Sequence, residues 1–263
     1  MNKQEQDSRI KQVLTDKANE INENAVSFRK VQAAIYEKEQ NGMKKGKFSF
    51  KNKKKAMIAS FCCIALLSGS LIAGTIAKSW IGHGDHRYQT FPTAQKVQKD
   101  LGFLPNYVES LPGGFEFVFG GKDESSLVDE QGKSIVDTKG MSLSYAKPGS
   151  KDMLTLGAEQ IPQQYMTYDH MQVLEDTYKG YTFYFDEQMY KFVPVDYVLT
   201  EEDKDAQAAG TLEISYGSDE VTIEQIQSIW WNDGDIRYYI MGSDFGFTAD
   251  EMVVMAQAVI DAN

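Results

Sequence analysis

Acidic side chains are many but scattered along the chain, and histidines number only three and cysteines two. His83, Asp85 and His86 offer three metal ligands, but in a glycine-bearing stretch without the framed spacing of a zinc site. His170 has no serine set in a nucleophile turn to serve, since nothing around Ser125, Ser142 or Ser215 resembles one. Glu201, Glu202, Asp203 and Asp205 lack the alternating ligands and glycine of a calcium loop and read as a solvated connection. Asp233 and Asp235 flank Gly234, which a hairpin turn explains without an ion. No phosphate loop or dinucleotide fingerprint occurs. The expectation is no catalytic residue, no metal and no cofactor: a protein that is not an enzyme.

Aromatic residues are the remaining candidates for a site. Between 178 and 192 the chain holds Tyr178, Tyr181, Phe183, Tyr184, Phe185, Tyr190 and Phe192. β-propensity accounts for much of this richness, because such rings pack well on a half-buried pleated surface. Those not spent on a core form a possible ligand surface for lipid, peptide or glycan, with Tyr178, Tyr184 and Tyr190 as its candidates.

The segment that positions everything else is the run Ala56–Ala77, which holds 22 residues and no charge. As a helix it would extend about 33 Å, enough to cross a bilayer's hydrocarbon core. Lys51, Lys53, Lys54 and Lys55 stand before it, and only Lys78 and Arg87 soon after. Positive charge stays inside, which predicts a single-pass cell-membrane protein with a cytoplasmic N-terminus and an extracytoplasmic C-terminal part. A cleaved signal peptide is the competing reading, but its leader would be 55 residues long, far beyond a usual n-region. The only cysteines, Cys62 and Cys63, fall inside the run, so the rest must fold without a disulfide.

Charge divides at the same place. Residues 1–55 carry 14 basic and 7 acidic side chains, and the remainder carries 13 and 31, so +7 precedes −18. The basic part suits anionic headgroups and the acidic part avoids them. Since the lysines border the membrane run, nucleic acid is not an expected partner. Within residues 1–55, Ile10, Val13, Leu14 and Ile21 trace one helical face, and Phe28, Val31 and Ile35 trace a second before Asn41-Gly42. Two such helices are too short to bury a core by themselves. Their stripes call for each other, the membrane surface or a protein groove; Asp16, Glu20 and Glu23 argue against an anionic membrane, so a cytoplasmic protein partner is the preferred reading.

Residues 78–92 read as a linker, with Gly82, Gly84 and Pro92 and no periodicity. Thr93 is a candidate N-cap for a short helix closed by Gly102. From 115 the period becomes two: Phe115, Phe117 and Phe119; Met141, Leu143 and Tyr145; Tyr181, Phe183 and Phe185; Leu212, Ile214 and Tyr216; Ile236, Tyr238 and Ile240. Asn232-Asp233-Gly234-Asp235 predicts a hairpin. Thr248 and Glu251 form a capping-box pair before the apolar face of Met252, Val253, Ala256, Val259 and Ile260. The predicted fold class is α+β: one transmembrane helix, then a curved antiparallel sheet packed against N- and C-terminal helices. The predicted divisions are a tail (1–55), the span (56–77), the linker (78–92) and an exported domain (93–263).

The lysine-flanked span, the LPGGF turn (Leu111–Phe115) and the ending WWNDGDIRYYIMG…FTADEMVVMAQAVI resemble a family of Gram-positive bacteria. Its members are membrane-anchored, anti-sigma-factor-like proteins with an uncharacterised exported domain. The likeness covers residues 93–262 best, while the tail segment RIKQVLTDKANEI (Arg9–Ile21) is similar in kind. It implies a lipoprotein-carrier-like fold, a curved sheet wrapped around helices. It also implies a sensor or regulator, whose exported domain perceives an envelope signal while the tail binds a partner such as a sigma factor. The zinc-type members use a His-x3-Cys-x2-Cys motif, and this tail has neither histidine nor cysteine, so bare amphipathic helices must do the binding. The alternative is a membrane-anchored envelope module that binds lipid, glycan or peptide with no signalling role.

Overall fold

Alternating apolar and polar residues build most of this chain into strands. The computed structural model describes residues 64–66, 71–72, 75–129, 133–168, 171–174 and 177–262. The tail stripes (Ile10, Val13, Leu14, Ile21, Phe28, Val31, Ile35) and His170 lie outside the described residues. In chain order the elements are β1 (Ile64–Leu66), β2 (Leu71–Ile72), β3 (Thr75–Gly84), α1 (Ala94–Leu101), β4 (Ser110–Leu111), β5 (Phe115–Asp129), β6 (Ser134–Ala146) and β7 (Met153–Gln160). They continue with β8 (Gln172–Val173), β9 (Tyr184–Val193), α2 (Glu201–Ala208), β10 (Glu213–Tyr216), β11 (Thr222–Asp233), β12 (Ile236–Ser243) and α3 (Ala249–Ile260).

The sheet runs β2-β3-β1-β10-β9-β11-β12-β7-β6-β5-β4, with β8 on β9 and a further pairing of β3 with β5. One face carries the main core: Met141, Leu143, Tyr145, Leu154, Leu156, Ala158, Ile229, Trp231, Tyr238 and Ile240 are buried there. Helix α3 covers it with Met252, Met255, Ala256, Val259 and Ile260, and α1 adds Val97 and Leu101. The helices begin and end on local chemistry. Thr93 accepts from the Lys96 amide and Gly102 closes α1 at φ 90°. Thr248 and Glu251 cap α3 reciprocally. The hairpin of β11 and β12 turns at Gly234-Asp235, with Gly234 at φ 62°.

Two findings correct the expected fold. The sheet is mixed rather than antiparallel, because β9 and β10 pair in parallel from Tyr190↔Glu213 to Val193↔Tyr216. Helix α2 lies between them and brings the chain back in the same direction, as a parallel pair requires. Nor is the apolar run a membrane helix here. Its described residues, 64–66, 71–72 and 75–77, are strand, and no helix among the described residues is long and apolar enough to cross a membrane. The physical reason is at the sheet margins. β5 and β10 each need a partner for a row of backbone groups, and β3 and β1 supply it. The expected linker follows suit, since residues 78–84 end β3 and Tyr88 bridges to Gly120.

The curl also runs opposite to a sheet wrapped around helices. Trp80 on β3 and Arg237 on β12 are four strand steps apart through β5, β6 and β7, about 19 Å on a flat sheet. Yet the guanidinium lies 5.5 Å from the Trp80 ring on the face away from α3. The sheet therefore curls toward its helix-free face, as a half-barrel, with the helices outside.

Thr248→Ala removes one half of the α3 cap, and about 1 kcal/mol of stability should go with it. For a domain of this size that lowers the thermal midpoint by roughly 2–4 °C, as thermal circular dichroism would measure.

Candidate functional site

The concave face is lined by residues of the parity opposite to the core. On β12 the sequence Ile236-Arg237-Tyr238-Tyr239-Ile240 alternates, so Tyr238 and Ile240 enter the core while Arg237 and Tyr239 face the hollow. Trp230, opposite Tyr239 on β11, and Tyr184, opposite Trp230 on β9, share that face. So does Gly157 on β7, opposite Tyr239. A Cβ at Gly157 would overlap the Tyr239 ring, so the ring occupies the space that glycine leaves.

Arg237 is the centre of this lining. Its guanidinium stands 5.3 Å from the Trp230 ring and 5.5 Å from that of Trp80, a cation held between two indoles. Its Nη2 donates to Glu159 Oε2 at 2.6 Å, and both side chains are only 13% exposed. Thr138 Oγ1 donates to the other Glu159 oxygen. Nε of Arg237 is buried with no hydrogen-bond partner among the described residues. The ion pair and the two rings therefore carry the stabilisation of this charge.

Tyr168 and Tyr184 close the hollow beside it as a stacked pair, with centroids 4.0 Å apart and planes 14° apart. Tyr168 donates to Asn232 Oδ1 at 2.6 Å, and burial pushes its phenol up to about 12. On the far side Asp123 of β5 meets Gly84 of β3. Burial pushes its carboxyl up to about 7, and Glu159 and Asp85 add repulsion, while a hydrogen bond from Ser142 acts the other way. An open cleft of about 460 Å³ lies at one end of the sheet. It is bounded by the β5 bulge at Phe117, Val118 and Phe119 and by the turn holding Pro148, Gly149 and Lys151.

Of the three tyrosines expected as a ligand surface, Tyr184 belongs to this hollow. Tyr190 lies on the same side of β9, stacked on Phe192 at 5.9 Å. Tyr178 is elsewhere, donating to Asp261 at the end of α3. Sequence reasoning missed Arg237, Glu159, Trp80, Trp230 and Asp123. The available signal was a lone arginine inside the apolar alternation of β12, a charge that such a strand must neutralise. The acidic run at 201–205 opens α2, where Glu201, Glu202 and Asp205 are exposed as expected while Asp203 is buried to 4% exposure. Lys191 Nζ donates to Asp203 at 2.6 Å and the Tyr197 hydroxyl donates to it at 2.9 Å; against the cost of burial, these contacts and the Thr200 cap hold the Asp203 carboxyl down at about 2.

Among the described residues no group of histidine, cysteine and acid side chains could hold a metal ion. The hollow brings together an ion-paired cation, stacked rings and a carboxyl whose pKa is raised. Compared with family models, curated proteins and solved structures, the chain finds no match in any of the three.

Arg237→Met leaves the Glu159 carboxylate largely buried and unpaired, at an expected cost of about 3–5 kcal/mol. Adding Glu159→Gln should restore much of that loss. Urea unfolding of the two single variants and the double variant measures the coupling, and simple additivity would contradict the pairing.

Proposed function

We propose that the chain is a membrane-attached regulator, whose acidic folded domain responds to a condition or ligand outside the cell and whose basic tail binds a cytoplasmic protein. The observation that carries this reading is the partition of charge, +7 over residues 1–55 and −18 beyond, about an uncharged run of 22 residues. The tail's two apolar stripes supply the surface for a regulatory partner, a sigma factor being the one that the family resemblance favours. The enclosed aromatic and ionic hollow supports a binding role for the folded domain, with Tyr184 and Tyr190 on the side that a ligand would meet.

The pairing of β1 and β3 with β10 and β5 favours a second reading. In it the apolar residues complete the sheet, and the domain acts as an envelope-binding module that needs no signalling tail. Sheet edge and bilayer compete for the same apolar residues, 64–66, 71–72 and 75–77 among those described, so the two readings separate cleanly in experiment.

On the first reading the full-length chain sediments with membranes, and protease added outside digests the acidic domain while sparing the tail. Capture of the full-length chain recovers a regulatory protein, and deletion of residues 1–40 abolishes that recovery. Recovery of lipid alone, or a partner retained after the deletion, sinks the regulator. A chain found wholly in the soluble fraction sinks the attachment.

A further inference from the structure

One end of the sheet gathers exposed apolar side chains. β9 and β10 finish there at the pair Val193 and Tyr216, and β11 begins there with Thr222 opposite Phe192. The Val193 carbonyl accepts from the Gly217 amide at 2.9 Å and the Ser218 amide at 3.2 Å, so the loops after β9 and β10 leave from one point. These loops and the start of β11 carry Val198, Val221 and Ile223, which are 71%, 48% and 59% exposed. Single exposed apolar residues need no explanation, but a group of them with a polar rim marks an interaction surface. By contrast, the exposed Val173 lies at the other end of β9, opposite Tyr184, and the exposed Val254 lies on α3.

The rim is acidic. Asp196, Glu201, Glu202, Asp219 and Glu220 are all exposed at this end. Thr200 caps α2 here and sets Glu201 and Glu202 in its first turn. Among the described residues only Glu201 of these five has a cation at ion-pair distance, Lys204 at 2.6 Å. The chain also enters the sheet at this point. Ile64 pairs with Tyr216, and β1 runs antiparallel to β10, so the residues before 64 join the sheet where β10 ends. Those residues lie outside the described part of the chain, but their chemistry is plain. Ala56–Cys63 carries no charge, and the segment 44–55 (KKGKFSFKNKKK) holds seven lysines, Phe48 and Phe50, and no acid.

We propose that residues 44–55 dock on this end of the folded domain, with their lysines on the acidic rim and Phe48 and Phe50 on Val198, Val221 and Ile223. Both halves of the match are present in one chain, and the connection is short. The eight linking residues, 56–63, reach at most about 29 Å. A tether of that kind raises the local concentration of the segment to about the millimolar range. Exposed ion pairs are weak one by one, so the several lysines and the apolar contact act together. In the docked state the domain, rather than anionic headgroups, neutralises the lysines. The inference goes beyond the proposed regulator and rests on the second reading above, in which β1 and β3 belong to the sheet.

Carbodiimide cross-linking of the full-length protein, which joins an amine to a carboxylate in contact with it, tests the docking by mass spectrometry. Lysines of 44–55 should link to the five rim acids at least about fivefold more often than to Asp233 and Asp235, exposed at the other end of β11. Val198→Ser, Val221→Ser and Ile223→Ser together should lower those links about tenfold, while Val173→Ser with Val254→Ser should leave them unchanged. Links spread evenly over the acids, or unmoved by the triple variant, overturn the proposal. Should the triple variant lose its thermal transition, high salt takes its place, shortening the Debye length to about 3 Å at 1 M; links that survive it overturn the proposal equally. In a mixture of isotope-labelled and unlabelled protein the links should stay within one chain, and links between chains overturn the proposal in favour of a second copy. Hydrogen exchange over 75–84 separates the two failures. A protected β3 without the links overturns the docking alone, and an unprotected β3 overturns the second reading with it.

Discussion

A cation enclosed on the inner side of a curled sheet must bring its own neutralisation, since water no longer supplies it. Arg237 meets this constraint with three strands at once. β7 provides the carboxylate of Glu159, β11 the face of Trp230, and β3 the face of Trp80. These contacts can be made together only if β3 and β12 approach across the hollow, so the demand of one guanidinium and the curvature of the sheet are the same fact. The side chains around it follow from that geometry. Thr138 satisfies Glu159, and Tyr168 on Tyr184 fills the space next to Trp230.

The outer face is held by different physics. Its core is apolar and broad, and α3 lies on it through methionine, alanine, valine and isoleucine, which need no directional partner. Where the chain must also be aligned, single polar side chains do the work. Tyr145 donates to the Val108 carbonyl at 2.6 Å, and Tyr238 accepts from the Asn106 amide at 3.0 Å, pinning the segment between α1 and β4 to the sheet. Gln227 grips the peptide of Phe247 from both sides, accepting from its N–H and donating to its carbonyl, and so fixes the approach to α3. Apolar contact sets how strongly the helices adhere, and these polar contacts set where.

Local signals are legible in this sequence and distant ones are not. Thr93 with Gly102, Thr248 with Glu251, and the Gly234-Asp235 turn act within a few residues, and each is found where its chemistry points. Met141, Leu143 and Tyr145 are buried as their alternation requires. Phe115, Phe117 and Phe119 share that spacing, but a bulge at Val118 turns Phe119 to the other face, a shift of one residue that periodicity cannot register. Within the acid run at 201–205 only Asp203 departs from its solvated reading, because its partner, Lys191, arrives from another element. The hollow is the least legible part. Only Tyr184 of the expected aromatic surface lies beside Arg237, since the curl that gathers Trp80, Glu159 and Arg237 exists only between strands distant in sequence. The parallel pairing of β9 and β10 and the strand pairing within the apolar run escape for the same reason, as both are answers to a neighbour's unpaired edge.

Gly157 and Tyr239 bear on which other sequences can share this architecture. The ring at 239 occupies the volume that any side chain at 157 would claim. The two positions are therefore one steric decision, a glycine with a large ring or a larger residue with a small one. In a set of related chains they should vary together or not at all. Such a pair marks the concave wall of this fold in sequences too divergent to be aligned by overall similarity.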